Sequence, residues 1–170
     1  ICRNGHILQA IWRGQYGMGS QIVVKRLYDY SLVLGTMDHI WDDVSEDNVK
    51  QFTPDLLNEI WLGLFVNEQY VGMYRFHSLT SVLLEGHVFM LPAHRRHSLE
   101  CANEVLKWLC KNTEFNKIIV NIPECFSNVI NFVEALGLKK QGYNSESYKK
   151  DGVLIGMFQY GILRGDIWFQ

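Results

Sequence analysis

The sequence has no run of about 18 apolar residues, so nothing in it reads as a transmembrane helix. No signal peptide is visible. The chain starts at Ile1 rather than Met, which leaves its true N-terminus and any targeting segment open. A large excess of one charge is also missing: 16 Lys and Arg stand against 18 Asp and Glu, a net of -2. Such a balance gives no general pull toward nucleic acid or anionic lipid, so any anion site must be local. None of the four cysteines, Cys2, Cys101, Cys110 and Cys125, forms a C-x-x-C pair. Cys101 and Cys110 lie in an apolar helical run, where a free thiol serves as a small hydrophobe. The reading is a reducing, cytoplasmic setting without a zinc motif. Only three Pro interrupt the chain and no internal repeat stands out.

What is present suits one globular domain. The 170 residues are 48% hydrophobic and 20% charged, which excludes a disordered tail or a fibre. Residues 1–20 mix Ile7, Leu8, Ile11 and Trp12 with Gly14, Gly17 and Gly19. They read as an N-terminal arm on a flexible hinge, since the glycine pattern has the wrong order for a dinucleotide fingerprint. Residues 161–170 read as an apolar C-terminal tail.

Between them the patterning alternates. Strands are expected at Gln21 to Leu27, Ile60 to Val66, Tyr70 to His77 and Ser81 to Leu91, the second and third forming a hairpin across Asn67, Glu68 and Gln69. Helices are expected at Tyr30 to Asp43, Ser98 to Lys111 and Ser127 to Leu136. Ser98 is expected to cap the second and Gly137 to end the third. Further strands fall at Asn116 to Ile122, Lys139 to Asn144 and Val153 to Tyr160, with Asp151-Gly152 as the last turn. The class is mixed α/β (α+β), with a central mixed sheet of six or seven strands flanked by helices.

Three local patterns then carry a family resemblance. One is a long strand ending VFMLPAHRRHS and running straight into a helix; another is IIVNIP followed by a short helix. The third is FVEALGLKKQG, with Gly137, Leu138 and Gly142. Over Gln21 to Tyr160 the chain resembles the GNAT N-acetyltransferase superfamily. MDHIWDDVSEDN and YVGMYRFHSL are similar to a phage-encoded, degenerate branch of it. The resemblance implies acetyl-coenzyme A (acetyl-CoA) in an opening between two central parallel strands. Its pyrophosphate would rest on backbone N–H groups around His97, Ser98 and Leu99, with charge from Arg95 and Arg96. A helix N-terminus suits an anion because its first N–H groups lack partners and its dipole is positive there. A strand N–H near Val88 or Phe89 would hydrogen-bond the thioester carbonyl.

The chain departs from the family pattern at chosen points. Aligned on Arg95, the loop [QR]-x-x-G-x-[GA] reads R-R-H-S-L-E, which places Ser98 and Glu100 where small residues are usual. The Tyr acid of many members is replaced by Val133, beside Phe132; Tyr143 and Tyr148 are the nearest alternatives in sequence. Glu85 and His87 share a strand face, and Glu85 is the candidate base for a primary amine. His87, His94 and His97 match no metal-ligand spacing. The acidic run Asp42, Asp43, Glu46 and Asp47 reads as a solvated loop that could also draw a cationic amine.

Two functions follow from these residues. One is an acetyl-CoA-dependent N-acyltransferase acting on an unidentified amine. The other keeps the fold without the chemistry: a structural or assembly protein, such as a phage virion component, docked to protein partners through residues 1–20 and 161–170. Infected host cytoplasm or the virion would then be its location. A nucleic-acid binder is disfavoured by the charge balance.

Overall fold

The computed structural model describes residues 20–167. The expected N-terminal arm and Trp168 lie outside the described residues, apart from Ser20. Seven strands form one sheet in the order β1-β2-β3-β4-β5-β7-β6. They are β1 (Ile22–Arg26), β2 (Ile60–Val66), β3 (Gln69–Ser78), β4 (Leu83–Met90), β5 (Lys117–Pro123), β6 (Lys139–Lys150) and β7 (Val153–Leu163). Only β4 and β5 run parallel among the paired strands. Among the described residues three α-helices are joined to them: α1 (Tyr30–Val44), α2 (Ser98–Asn112) and α3 (Ser127–Ala135).

The turns explain the register. Asn67 and Glu68 both have positive φ, 49° and 68°, as a two-residue hairpin requires, and Asp151 and Gly152 repeat this at 52° and 78°. Gly137, at φ 89°, follows α3, and the Gly137 and Leu138 N–H groups donate back to Glu134 O and Val133 O.

Each sheet face has its own core. α1 places Val33, Met37 and Ile40 at helical spacing onto Trp61, Met73 and Phe89. Asp29 starts this helix, its carboxylate accepting from Leu32 N–H at 3.0 Å. The opposite face packs α2, through Cys101, Val105 and Leu109, together with Val133 of α3, against Leu62, Tyr74, Ile118 and Tyr160.

The structure corrects several boundaries. Ser98 does not cap α2: it is already helical, its N–H donates to Arg95 O, and the helix grows unbroken out of a 3-10 turn over Pro92–His97. The far end of α2 is closed by Arg164, whose guanidinium donates to Cys110 O at 2.6 Å and Thr113 O at 2.7 Å. β7 continues through Leu163, with Ile162 buried against the core, so the first residues of the expected tail are sheet. β6 extends to Lys150 across an irregularity between Asn144 and Tyr148.

Candidate functional site

The parallel pair places the site. β4 and β5 are in register only at Leu83–Lys117, Leu84–Ile118 and Glu85–Ile119. Beyond Glu85 each strand pairs only with its other neighbour, β3 or β7. A gap therefore opens between them toward the C-terminal end of β4. Leu91 N–H donates to Val71 O, so by the alternation of an antiparallel ladder the odd-numbered β4 residues point their N–H groups at β3. The N–H groups of Val88 and Met90 face the gap, whereas that of Phe89 faces β3. Phe89 is buried, its ring 6.2 Å from Trp61.

Glu85 sits at the vertex, on the α1 face of the sheet. Asn121 Nδ2 donates to its Oε1 at 2.6 Å, and His77 Nε2 lies 3.2 Å from its Oε2. Gln159 Nε2 reaches Asn121 Oδ1 at 3.4 Å. Thus β3, β4, β5 and β7 each contribute one polar side chain to a single chain of contacts. The His87 ring lies 5.4 Å from that of His77 and nearly parallel to it. His77 Nδ1 and His87 Nε2 are buried without a hydrogen-bond partner among the described residues. Burial pushes the His87 imidazole down to about 4; Arg75 and His77 add to that shift, and Glu85 and Glu59 oppose it.

A second polar pair borders this group. Arg75 Nε donates to Glu59 Oε2 at 2.8 Å and its Nη2 lies 2.5 Å from Oε1. The guanidinium also stacks over Phe52 at 4.4 Å. Partial burial disfavours the Glu59 carboxylate, but the Arg75 hydrogen bonds and charge outweigh it and hold the carboxyl below its ordinary value.

The expected anion-binding segment follows the end of β4. Arg95 and Arg96 are exposed, while His97 and Ser98 are half-buried. Leu99 is exposed. Glu100 is 63% exposed and lies 3.6 Å from His97 Nδ1, so its carboxylate turns outward and meets an imidazole. Arg96 Nε contacts His97 Nε2 at 3.1 Å. His94 departs from its neighbours and lines a cleft of about 560 Å³ with Ser31, Thr36, His39 and Tyr70. The structure therefore gathers Glu85 and His87 at the vertex, and Arg95 to Leu99 at the start of α2.

The alternative tyrosines are otherwise engaged. Tyr143 OH donates to Glu124 at 3.0 Å, which raises its pKa. Tyr148 OH donates to Val44 O, and burial pushes it up to about 12. Val133, at the position of the usual acid, is buried core. The acidic run is partly structural: Asp47 accepts from the N–H groups of Asp151 and Gly152, and Glu46 from that of Lys149. These bonds dock the segment after α1 onto the β6–β7 turn.

Sequence reasoning missed His77, Asn121 and Gln159. Asn121 left a weak trace, as the lone polar residue within the apolar run of β5. His77 and Gln159 left none, because only strand pairing brings them near Glu85.

A family model described as a protein of unknown function, DUF2824, matches residues 23–168. The chain belongs to the DUF2824 family. A search of curated proteins finds no match. Solved structures do match this DUF2824 chain in shape. One is spermidine N-acetyltransferase from Vibrio cholerae in complex with CoA and spermine, at TM-score 0.70 and 14% identity, covering 86% of this chain and 98% of that one. Another is the dodecameric form of the same Vibrio cholerae enzyme in an intermediate state, at TM-score 0.71 and 12% identity, covering 85% and 95%. At such identities the likeness establishes the fold, and the fold is that of the GNAT acetyltransferases.

Proposed function

We propose that the protein is a GNAT-type N-acyltransferase that takes acetyl-CoA and acylates a primary amine. The observation that carries this reading is the separation of β4 and β5 immediately after Glu85. It leaves an open strand gap with a carboxylate at its vertex and unpaired N–H groups along one side. The similar Vibrio cholerae enzyme, solved with CoA and spermine, supports a CoA thioester as donor and a cationic amine as acceptor.

The residues fit the donor. The gap offers Val88 N–H to a carbonyl oxygen, and Arg95 and Arg96 stand exposed at the beginning of α2 to neutralise phosphate charge. His97 and Leu99 lie on the same turn. The Ser98 N–H is already used by Arg95 O, so arginine charge outweighs this backbone donor. Glu100, turned toward His97, leaves the phosphate region less negative than the sequence alone implies. When bound, the cofactor supplies an activated acyl thioester.

The protein supplies orientation and proton handling. Glu85 is fixed by Asn121 and His77 and accepts the amine proton, directly or through one water. The tyrosine hydroxyl beside α3, that of Tyr160, donates to Glu134 at 2.7 Å, so proton delivery to the leaving thiolate is left to solvent. A slower enzyme than one with a positioned acid follows, since general acid catalysis contributes about 10²–10⁴ in rate.

The test is a transfer assay with acetyl-CoA against spermidine, spermine and lysine-containing peptides. Glu85→Gln should lower kcat/KM by about 10²–10⁴ while CoA affinity stays within about twofold. A variant as fast as the wild type on an accepted amine would refute Glu85 as the base.

A further inference from the structure

His77, Glu85 and His87 form a cluster that proton transfer alone does not account for. One ligand-type atom from each lies within 4.8 Å of the other two. The three come from neighbouring strands in fixed register, His77 directly opposite Glu85 and His87 two residues along. We propose that His77, Glu85 and His87 form a binding site for a divalent ion of the zinc type, with two imidazoles and one carboxylate as ligands.

The spacing supports this. Two donors each about 2.0–2.1 Å from a tetrahedral ion stand about 3.3 Å apart. His77 Nε2 and Glu85 Oε2 are separated by 3.2 Å, so both can ligate one ion with little movement. His87 closes the third position by rotating its ring, which no hydrogen bond restrains at Nε2. A buried imidazole nitrogen without a partner costs free energy, and ligation would relieve that cost.

The surroundings suit a cation. Asn121 Nδ2 holds the second oxygen of Glu85 at 2.6 Å, the kind of outer hydrogen bond that orients a ligating carboxylate. Arg75 is the nearby positive group, and its guanidinium is already paired with Glu59. Two histidines and a carboxylate leave a fourth position open, as in zinc sites that bind water or substrate. The pattern favours Zn²⁺ over Mg²⁺ or Ca²⁺, which prefer oxygen ligands.

If Glu85 is also the acylation base, metal and base use exclude one another, and Zn²⁺ becomes an inhibitor lifted by chelation. That consequence rests on the proposed acyltransferase reading; the binding site itself does not.

The experiment is competition between the full chain, stripped with EDTA, and a chromophoric Zn²⁺ chelator. One equivalent should bind in the wild type. His77→Ala and His87→Gln should each weaken binding by at least about 10–100-fold, the loss that removal of an outer hydrogen-bond partner of a ligand already causes, while a His94→Gln, His97→Gln control keeps wild-type affinity. Circular dichroism of each variant verifies folding. Co²⁺ provides a second readout in the unmodified chain: a visible d–d spectrum without a thiolate charge-transfer band. No binding by the wild type, equal binding by the His77 and His87 variants, or a thiolate band from a cysteine site would overturn the proposal. Enzyme activity enters none of these outcomes, so failure here is distinct from failure of the acyltransferase reading.

Discussion

Acidification should expose the cost of burying His87. The imidazole has an ordinary pKa of 6.5 and is pushed down to about 4 in the folded chain, chiefly by burial. Glu85 and Glu59 face it and favour the charged form; Arg75 and His77 oppose it. Between these two pH values the unfolded state therefore holds more proton than the folded state. Stability is complete above pH 6.5 and is lost as pH falls toward 4. The whole shift is worth about 3 kcal/mol, of which about 2 kcal/mol is expressed between pH 7.5 and 5. The assay is urea unfolding at both pH values in EDTA, for the wild type and for His87→Gln. Taking the difference between the two proteins removes the acid response of the carboxylates they share. The wild type should lose about 2 kcal/mol more than the variant on acidification. Equal losses, or a larger loss in the variant, would refute the claim that His87 is buried neutral.

Other perturbations probe the frame around the site. Gly72→Ala should destabilise by about 1–3 kcal/mol, because φ is 152° and a Cβ would stand 2.6 Å from the Phe89 carbonyl oxygen; thermal unfolding reads it, and an unchanged Tm contradicts it. Arg164→Ala should cost about 2 kcal/mol by freeing the carbonyls at the end of α2, seen as a lower urea midpoint with an unchanged slope. Leu109→Ala, at a fully buried core position, should cost about 2–5 kcal/mol in the same assay. Glu100→Gln should tighten acetyl-CoA several-fold at low salt and less at high salt, since it removes a negative charge beside the expected phosphate site; salt-independent affinity would argue against that placement.

Much of the fold was legible in sequence because its signals are local. The α1 and α2 stripes, the Asn67-Glu68 and Asp151-Gly152 turns and the apolar run of β2 each announce an element within a few residues. The errors fell where distant contacts decide. Ile162 is in the sheet because Ile118 pairs with it, and the second half of β6 because β7 lies beside it. Its polar SES segment, with Glu146 at φ 48°, carries no strand signal of its own. Ser98 has the chemistry of a cap, yet Pro92 starts a 3-10 turn that delivers the chain to α2 already helical.

The vertex of the candidate site was legible only along β4. Glu85 and His87 stand two apart, so one strand face could be read directly. His77, Asn121 and Gln159 lie on three other strands, and only register joins them to Glu85. Likewise the outward turn of Glu100 depends on His97 three residues earlier. The acidic run illustrates the reverse: four carboxylates that look free in sequence include two that hold the β6–β7 turn in place.

Calorimetric titration of the purified chain with acetyl-CoA tests the central claim most directly, with the desulfo and dephospho forms as comparisons. The account predicts micromolar binding, about -8 kcal/mol, that weakens at least tenfold when Arg95 and Arg96 are both changed to Ala. An absence of heat at millimolar ligand would contradict it.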